Sequence, residues 1–309
     1  MNVASIDIGT NTVLLLIAEF DFKLRKLKPL LNVHRMPRIG KGLLPGSNIS
    51  SEKIVELKNI LLEYKAIIKS YNVEQLILTA TNAFRISANS NQIVNEIRNE
   101  FNFDIKIISG EDEADYAFLG ATFDITSDRE FLVIDIGGGS TEIIAGSMNN
   151  ITYRQSFQIG SVSATEEFLP GNPPDSSHIE KLNHHLHSVF RSLKKNDFKN
   201  CYPIAIAGTP TTLSCIKHNL TDFDYDTIEL SCLNIEEINS ISNQLSMLTN
   251  TEIDSRWSNI MRGRSDIILA GSRILSIILS TIKIDKVYTS TKGIRYGAII
   301  QHLINQRIL

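Results

Sequence analysis

The sequence predicts a duplicated α/β fold with two domains, and three observations support this. Its 309 residues favour two domains of ordinary size over one. In both halves, strand-like apolar runs alternate with helix-like segments, a pattern that predicts a largely parallel sheet in each half. A strand, a glycine-containing turn and a second strand occur at 3–17 and again at 131–146. We interpret this recurrence as an internal repeat.

The first half is predicted to form the first domain, residues 1–124. Its predicted strands are 3–7, 13–20, 30–36, 75–79 and 104–108. Ser50 or Ser51 is predicted to cap a helix, because apolar residues follow at helical spacing. Further helices are predicted from Ser90 to Phe101 and from Gly110 to about Phe123. The polar, turn-rich segment 122–129 marks the predicted boundary.

The second half is predicted to form the second domain, residues 125–309. Its predicted strands are 131–135, 142–146, 151–159, 202–207 and 286–290. Its predicted helices lie near 161–169, 176–194, from 208, from 267 to 282, and from 293. The last helix, about 293–309, either packs within the second domain or packs back on the first domain. The apolar segment 267–282 contains Arg273 and several serines, which favours a buried helix over a membrane span.

Composition excludes several classes of protein. The net charge of −3 argues against general nucleic-acid binding. Cys201, Cys215 and Cys232 show no C-x-x-C spacing, so we predict neither a disulfide framework nor a zinc site. The N-terminus lacks the pattern of a signal peptide. We therefore expect a cytoplasmic protein without nucleic-acid or membrane partners.

The most informative segment is the turn from Asp135 to Glu142. It follows the apolar run 131–134, which is typical of a buried strand. Its three glycines let the backbone turn sharply and expose N–H groups, which form a concavity suited to phosphate. The predicted phosphate ligands are Gly137, Gly138, Gly139, Ser140 and Thr141. The two flanking carboxylates would repel phosphate unless a cation lies between them, so we predict Mg²⁺ or another divalent cation at Asp135 and Glu142.

A similar turn, residues 7–12, opens the chain between two predicted strands. Gly9, Thr10 and Asn11 offer backbone flexibility and donors for phosphate, and Asp7 is a further candidate metal ligand. Taken alone, this turn is equally compatible with an ordinary hairpin. The two turns together, about 130 residues apart, indicate a pair of phosphate loops that clamp one phosphate chain between two domains.

A third loop and one arginine each have two interpretations. Gly208 and Thr209 lie between a strand and a helix, where they would bind phosphate or only cap the helix. Arg85 follows a strand that should end at the same sheet edge as the Asp7 turn. Its guanidinium would bind phosphate oxygens or remain an ordinary surface group.

Three consecutive acids, Glu111, Asp112 and Glu113, open the predicted helix from Gly110. Acidic residues in the first turn of a helix offset its dipole, which is one explanation for the group. The other is that one of them faces an interdomain cleft and deprotonates an attacking water.

The basic segment and the histidine-rich segment each have two interpretations. Arg35, Arg38 and Lys41 either form a solvated loop or line a path for a polyanion. The histidines of the predicted helix 176–194 lack acidic or cysteine partners at ligand spacing, so an exposed helix face is favoured over a metal site. These histidines are His178, His184, His185 and His187. Trp257 is predicted to serve packing.

These motifs resemble those of the exopolyphosphatase/guanosine pentaphosphate phosphohydrolase family, part of the superfamily of sugar kinases, Hsp70 chaperones and actin. The matching blocks are 7–12, 38–43, 81–85, 109–114, 135–142, 208–213, 264–266 with 270–271, and 293–297. Two departures stand out. Thr10 and Thr12 occupy positions where serines are usual, and Tyr296 occupies a position where the family usually has Glu.

The resemblance implies two ribonuclease-H-like domains with the site in the cleft between them. It implies that Glu113 activates water, that Asp135 and Glu142 act on the metal and the phosphate, and that Arg85 binds phosphate. It also implies a short form of the family that lacks the extra C-terminal helical domains of longer members.

The resulting hypothesis is an exopolyphosphatase that releases orthophosphate from inorganic polyphosphate, using Mg²⁺ or another divalent cation. Guanosine pentaphosphate 5′-phosphohydrolase is the main alternative, because both substrates require the same terminal-phosphate site. A superfamily kinase and an actin-like scaffold are further alternatives. The use of a monovalent cation and a homodimeric state are compatible with the resemblance.

Overall fold

A computed structural model gives the structure, which describes residues 1–148 and 150–309. Its first elements are β1 (Asn2–Ile8), β2 (Val13–Asp21), β3 (Lys26–Arg35), α1 (Ser51–Ser70), β4 (Gln75–Ala80), α2 (Asn82–Ile86), α3 (Ser90–Phe101), β5 (Ile105–Ile107) and α4 (Gly110–Thr122). There follow β6 (Phe131–Ile136), β7 (Thr141–Ser147), β8 (Asn150–Phe157), α5 (Ser161–Phe168), α6 (Ser176–Val189) and a 3-10 helix (Phe190–Lys195). The remaining elements are β9 (Tyr202–Ile206), α7 (Gly208–Lys217), α8 (Tyr225–Ile228), β10 (Cys232–Asn234), α9 (Ile235–Leu245), α10 (Asn250–Met261), α11 (Ile268–Ile282), β11 (Lys286–Thr289) and α12 (Ile294–Asn305).

The chain divides into two compact units. Unit 1 consists of Met1–Asp124 together with Lys292–Leu309, and unit 2 is Ile125–Thr291. The C-terminal helix α12 is thus part of unit 1, where it packs against α4 and β1.

The sheet of unit 1 has the strand order β3-β2-β1-β4-β5. β1, β2 and β3 form an antiparallel meander, whereas β1, β4 and β5 are parallel. Successive side chains of a strand point to opposite faces, and both faces of this sheet are covered. Ile6 on β1 packs with Leu61 of α1 and Ile97 of α3, while Val3 packs with Ile299 of α12.

Unit 2 has the strand order β10-β11-β9-β6-β7-β8. β6, β9 and β11 are parallel, and β6, β7 and β8 form an antiparallel meander. In both sheets a central strand therefore joins a meander on one side to parallel strands on the other. This repeat confirms the predicted duplicated α/β fold with ribonuclease-H-like units.

The prediction of largely parallel sheets was wrong. Each sheet is mixed, because the glycine turns fold the chain into hairpins whose strands join the sheet as antiparallel neighbours. The predicted strand 30–36 is also longer and begins at Lys26, and the predicted helix 176–194 ends at Val189 before a 3-10 turn.

Several local predictions were correct. Ser50 caps α1, since its hydroxyl accepts a hydrogen bond from the Lys53 N–H at 3.3 Å. The apolar segment near 267–282 is α11, a largely buried helix in the core of unit 2. Among the described residues, no helix is long and apolar enough to cross a membrane.

Two glycines allow α12 to approach α4 closely. A Cβ on Gly120 of α4 would lie 2.1 Å from the Gly293 carbonyl oxygen, and one on Gly297 of α12 would lie 1.8 Å from the Tyr116 carbonyl oxygen. No other residue fits at either position without moving a backbone. The 293–297 block therefore fixes the C-terminal helix against α4, the helix that carries Glu113 at its start.

Candidate active site

In unit 1, the loops that follow β1, β4 and β5 emerge at one edge of the sheet. Parallel strands bring their carboxyl ends together, and ligands bind in α/β folds at that edge. Backbone hydrogen bonds fix the arrangement: the Thr81 N–H donates to the Ile8 carbonyl at 3.1 Å, and the Ile108 N–H donates to the Ala80 carbonyl at 3.0 Å.

The first predicted phosphate loop is supported from behind. The Gly9 N–H donates to the Thr12 carbonyl at 2.9 Å, which closes the turn. The carbonyls of Thr10 and Asn11 accept the N–H groups of Gly40 and Arg38, at 2.8 and 3.1 Å. Among the described residues, no backbone acceptor takes the N–H groups of Thr10 and Asn11. The turn therefore directs carbonyls toward its support and leaves amides for an anion.

The three basic residues Arg35, Arg38 and Lys41 do not all lie beside the first loop. Arg38 belongs to the segment that holds the turn, and Lys41 follows it as an exposed residue. Gly40 is required there, because a Cβ would lie 2.4 Å from Cγ2 of Thr10. Arg35, in contrast, pairs with Glu63 at the surface at 2.5 Å. Arg38 and Lys41 thus lie beside the first phosphate loop, and Arg35 is engaged elsewhere.

Glu113 is buried, unlike the exposed Glu111 two residues before it. Ser109 caps α4 by accepting the Asp112 N–H at 3.0 Å. Arg85 Nη1 donates to Glu113 Oε2 at 2.5 Å and to the Ile108 carbonyl at 3.1 Å. The acidic trio is therefore not a uniform solvent-facing group, because its third member faces inward to Arg85.

Two effects compete for the pKa of Glu113. Burial disfavours the charged carboxylate, and the Arg85 charge with hydrogen bonds from Arg85 and Thr81 favours it. Burial prevails, so the pKa of Glu113 is raised above its ordinary value. Arg85 donates through Nη1 only, and its Nε and Nη2 make no bond within the described residues. A raised carboxyl pKa is what a general base near neutral pH requires.

Asp7 is a second buried carboxylate of unit 1. Its Oδ1 is buried without a hydrogen-bond partner in the described part of the chain. Burial first, and then the Glu113 charge, raise the pKa of Asp7 to about 7, while Arg295 and Arg85 oppose this rise. Arg295 is held by Asn32 Oδ1 at 2.9 Å. An orphaned buried carboxylate indicates that a cation or donor completes this position when a ligand binds.

Replacing Asp7 with Asn is expected to stabilise unit 1 at neutral and alkaline pH. The pKa of Asp7 is raised when folded, so folding loses stability from this group as the pH rises from about 4 to about 7. The separation from its ordinary value corresponds to an upper limit of about 4 kcal/mol. In metal-free buffer, the urea midpoint of Asp7→Asn should exceed that of the wild type at pH 8 and match it near pH 4.

Asp21→Asn is the matched control for this prediction. Asp21 is exposed, and hydrogen bonds from the N–H groups of Leu24 and Lys23 lower its pKa. Its replacement should bring no gain at pH 8. Hydrogen exchange of β1 and β4 amides reports unit 1 specifically. An Asp7→Asn protein that is equally or less stable at pH 8 would contradict the burial argument.

In unit 2, Asp135 and Glu142 are direct cross-strand partners on β6 and β7. Side chains of such a pair lie on the same face with Cβ atoms about 5 Å apart. Both are buried, with 5% and 1% of their surface exposed. The Ser156 hydroxyl of β8 donates to Glu142 Oε1 at 2.7 Å and orients that carboxylate.

This pair suits a hard divalent cation. Within residues 1–148 and 150–309, no three His, Cys, Asp or Glu side chains converge on a metal position. Mg²⁺ is typically bound by one or two carboxylates plus substrate phosphates, without a cage of protein ligands. Asp135 and Glu142 fit that mode.

The glycine loop between β6 and β7 repeats the design of the first loop. Its Gly137 carbonyl accepts the Ser161 N–H at 2.9 Å, and its Gly138 carbonyl accepts the Val162 N–H at 2.8 Å, both from the start of α5. The N–H groups of Gly138 and Gly139 have no backbone acceptor in the described chain. Carbonyls again face the support, and amides remain for an anion.

Thr141, one of the predicted phosphate ligands, has its hydroxyl engaged within unit 2. Its side chain is fully buried, and its hydroxyl donates to the Ile159 carbonyl at 2.7 Å. This hydroxyl anchors the hairpin to the segment before α5. Ser140, by comparison, closes the turn by accepting the Gly137 N–H through its carbonyl at 3.0 Å.

The third loop has strained backbone at its start. Ala207 has φ +74° and ψ −165°, a region that is otherwise nearly restricted to glycine. Gly208 and Thr209 then begin α7, whose first N–H groups are available to an anion. The Thr209 side chain itself packs against Gly271 of α11, where a Cβ would lie 2.2 Å from Oγ1. Any contact of Thr209 with phosphate would therefore use its backbone.

Arg264 is a further candidate site residue, to which its sequence pattern assigned no role. A Cβ on Gly208 would lie 2.3 Å from Arg264 Nε, so the guanidinium covers the start of α7. Burial first, and the Arg262 charge second, lower the pKa of Arg264 to about 10. In the described chain its guanidinium donates only to the Met261 carbonyl, at 3.5 Å. The feature of the sequence that could have identified Arg264 is its position in block 264–266, one of the blocks that resemble the family.

The histidines of α6, Trp257 and Tyr296 are either exposed or packed against other side chains. His184 and His187 are exposed, His185 packs on Phe168 with ring centroids 4.6 Å apart, and no described group of His, Cys or acidic residues forms a metal site. Trp257 packs against the core of unit 2. Tyr296 is 4% exposed and belongs to the apolar cluster beneath α12. The Tyr296 side chain therefore contributes to core packing in this chain.

Residues 17–306 match the model of the Ppx/GppA phosphatase family. A bifunctional 3-dehydroquinate synthase/phosphatase from Fusobacterium nucleatum is 33% identical over 317 residues, a match that takes in 98% of this chain and 47% of the relative. The chain thus spans about half the length of that relative. Exopolyphosphatase 2 from Mycobacterium tuberculosis is 28% identical, with 88% of each chain covered.

A solved structure of the Ppx/GppA family member from Aquifex aeolicus gives a TM-score of 0.85 at 27% identity and covers 99% of this chain and 98% of that one. The fold, the two glycine turns and the match along nearly the whole sequence all indicate the same family. The chain belongs to the Ppx/GppA phosphatase family.

Proposed function

We propose that the chain is an exopolyphosphatase, which hydrolyses the terminal phosphoanhydride bond of inorganic polyphosphate and releases orthophosphate. The observation that carries this proposal is Glu113, a buried carboxylate with a raised pKa, held by Arg85 at 2.5 Å in a phosphate-binding fold. The similarity to exopolyphosphatase 2 of Mycobacterium tuberculosis supports the choice of substrate.

In the proposed reaction, Glu113 accepts a proton from a water molecule whose oxygen attacks the terminal phosphorus. The bond from that phosphorus to the bridging oxygen breaks, and the bridging oxygen stays on the shortened chain. Arg85 keeps Glu113 in place through Nη1 and offers Nε and Nη2 to phosphate oxygens. Such positioning and charge stabilisation provide most of the catalysis in phosphoryl transfer.

The unit 2 residues are proposed to bind the phosphate chain and the cation. The amides of Gly138 and Gly139, the first turn of α7 and the Arg264 guanidinium would bind phosphate oxygens. Asp135 and Glu142 would hold Mg²⁺ or another divalent cation, which neutralises phosphate charge when bound. Ser156 keeps Glu142 oriented for that role.

The substrate is tested by comparing initial rates of orthophosphate release from long-chain polyphosphate and from guanosine pentaphosphate. We expect kcat/KM to be at least about tenfold higher for polyphosphate, and release to require a divalent cation. A higher kcat/KM for guanosine pentaphosphate would replace the proposed substrate with the nucleotide. Release that continues unchanged in excess EDTA would contradict the metal requirement.

A further inference from the structure

Unit 2 contains a basic pocket that lies apart from the glycine loop between β6 and β7. We call it the lysine pocket. Its volume is about 430 Å³. It is lined by Lys194, Lys195, Asn196, Asp197, Lys199, Thr281, Ile282 and Lys283. With four lysines and one aspartate in this lining, its formal charge is strongly positive in a protein whose net charge is −3.

The lysines of this pocket are not neutralised by the protein. Among the described residues, none of the four forms an ion pair, whereas Lys217 and Lys292 elsewhere do. Asp197 is engaged locally, since its Oδ1 accepts the Lys199 N–H at 3.2 Å. The four lysine side chains are exposed and line one concave surface, where charge of a single sign attracts anions from solution.

A buried hydroxyl gives an independent indication of a ligand. Thr281 lines the lysine pocket and is 6% exposed. Its Oγ1 is buried and has no hydrogen-bond partner in the described part of the chain. Buried polar atoms are nearly always paired, and an unpaired hydroxyl in the lining of a basic pocket is suited to a ligand oxygen.

Helix dipoles explain only part of this charge. Lys195 ends the 3-10 helix and Lys283 follows α11, where cations offset the partial negative charge of helix C-termini. Lys199, however, lies in the loop before β9. The charges also come from two segments more than eighty residues apart in sequence, and both supply lysines to one concave surface.

Within unit 2, the lysine pocket and the glycine loop lie at opposite ends of the parallel strands of one sheet. Lys199 precedes β9 and Lys283 precedes β11, which are parallel neighbours. The glycine loop follows β6, and α7 follows β9, at the other ends of the parallel strands. β9 alone, with 5 residues, extends for roughly 17 Å. The pocket is therefore separate from the proposed phosphate-binding residues of unit 2.

We propose that the lysine pocket binds an internal segment of a condensed phosphate chain and so anchors long substrates to unit 2. The proposal rests on polyphosphate being the substrate. Lysine ammonium groups bind phosphate oxygens as mobile point charges, a mode that suits a flexible chain without fixed geometry. A chain held at two positions binds more tightly than its end alone, because the second contact is intramolecular.

Binding is tested without turnover by lysine acetylation and mass spectrometry in EDTA. Long-chain polyphosphate should protect the four pocket lysines at least about fivefold, whereas orthophosphate at equal phosphorus concentration should not. Protection by orthophosphate alone would reduce the pocket to a single-phosphate site and overturn the proposal. Equal protection by single-stranded DNA would make it a general polyanion surface and would also overturn the proposal.

Kinetics of a charge-removal variant provide the second test. The variant carries Lys194→Gln, Lys195→Gln, Lys199→Gln and Lys283→Asn. Asn is chosen at 283 because that residue has φ +60°, which Asn tolerates. The KM for long chains should rise about tenfold at low salt, while kcat and KM for tripolyphosphate stay within about twofold.

The matched control removes the same number of positive charges from exposed lysines elsewhere. It carries Lys23→Gln, Lys28→Gln, Lys69→Gln and Lys181→Gln. An equal rise of KM in the control would assign the effect to net charge and overturn the proposal. A wild type that protects its pocket lysines but releases no orthophosphate would refute the proposed function and leave the binding site standing.

Discussion

Glu113→Gln is expected to lower kcat for orthophosphate release by about 10²–10⁴-fold while polyphosphate binding changes little. Glutamine keeps the size of the side chain and an oxygen that accepts from Arg85 Nη1, so α4 and the fold should persist. It has no carboxylate to accept a proton from water. Steady-state phosphate release and equilibrium binding of polyphosphate in EDTA measure the two effects separately.

Glu111→Gln is the matched control, because it removes the same charge from the same first turn of α4 at an exposed position. We expect its kcat to stay within about twofold of the wild type, since loss of a first-turn charge costs little. A Glu113→Gln enzyme that works as fast as the Glu111→Gln control would remove Glu113 from the proton transfer.

Glu142→Gln and Asp135→Asn are expected to lower kcat/KM by about 10²–10³-fold at fixed Mg²⁺, because each removes one of two carboxylates from the proposed cation position. Both residues are buried cross-strand partners, so each substitution preserves the volume of its side chain. The Mg²⁺ concentration for half-maximal rate should rise in both variants. Mn²⁺ binding followed by electron paramagnetic resonance, with a non-hydrolysed phosphate present, gives a readout independent of turnover.

Ser156→Ala controls for indirect effects at this position. It removes the hydroxyl that donates to Glu142 Oε1 at 2.7 Å but leaves both carboxylates. A loss of about tenfold is expected, at the low end of the range for a residue that orients a metal ligand. If the carboxylate variants kept the Mg²⁺ dependence of the wild type, the cation would have to be bound elsewhere.

The two turns that carry the proposed phosphate loops were predictable because their chemistry is local. A buried strand followed by Asp and Gly fixes both the turn and its exposed amides within a few residues. The supports of these loops were not predictable by the same means. Gly40 and Ser161 hold the loop carbonyls from distant parts of the chain, and no local pattern indicates such a contact.

The choice of Glu113 among three consecutive acids shows a similar limit. Spacing alone leaves Glu111, Asp112 and Glu113 equivalent as first-turn residues. Only the packing of α4 in unit 1 buries Glu113 and brings it to Arg85. The resemblance singled out this residue in advance, whereas residue chemistry could only place it among three.

The short strand β10 was missed for another reason, its dependence on a distant partner strand. β10, α9 and α10 fall in a stretch where the sequence analysis assigned no structure. β10 has only 3 residues and is stabilised by pairing with β11, which follows more than fifty residues later. Arg264 was missed as a site residue for the same kind of reason, since its contact with Gly208 exists only in the folded unit.

Hydrolysis in ¹⁸O-labelled water is the most direct test of the central claim, that water attacks the terminal phosphorus of a phosphate chain. The reaction should be stopped before each chain has lost one unit. The account predicts one ¹⁸O atom in every orthophosphate released. Unlabelled orthophosphate, with the label on the shortened chain, would place the attack on the neighbouring phosphorus and contradict the account.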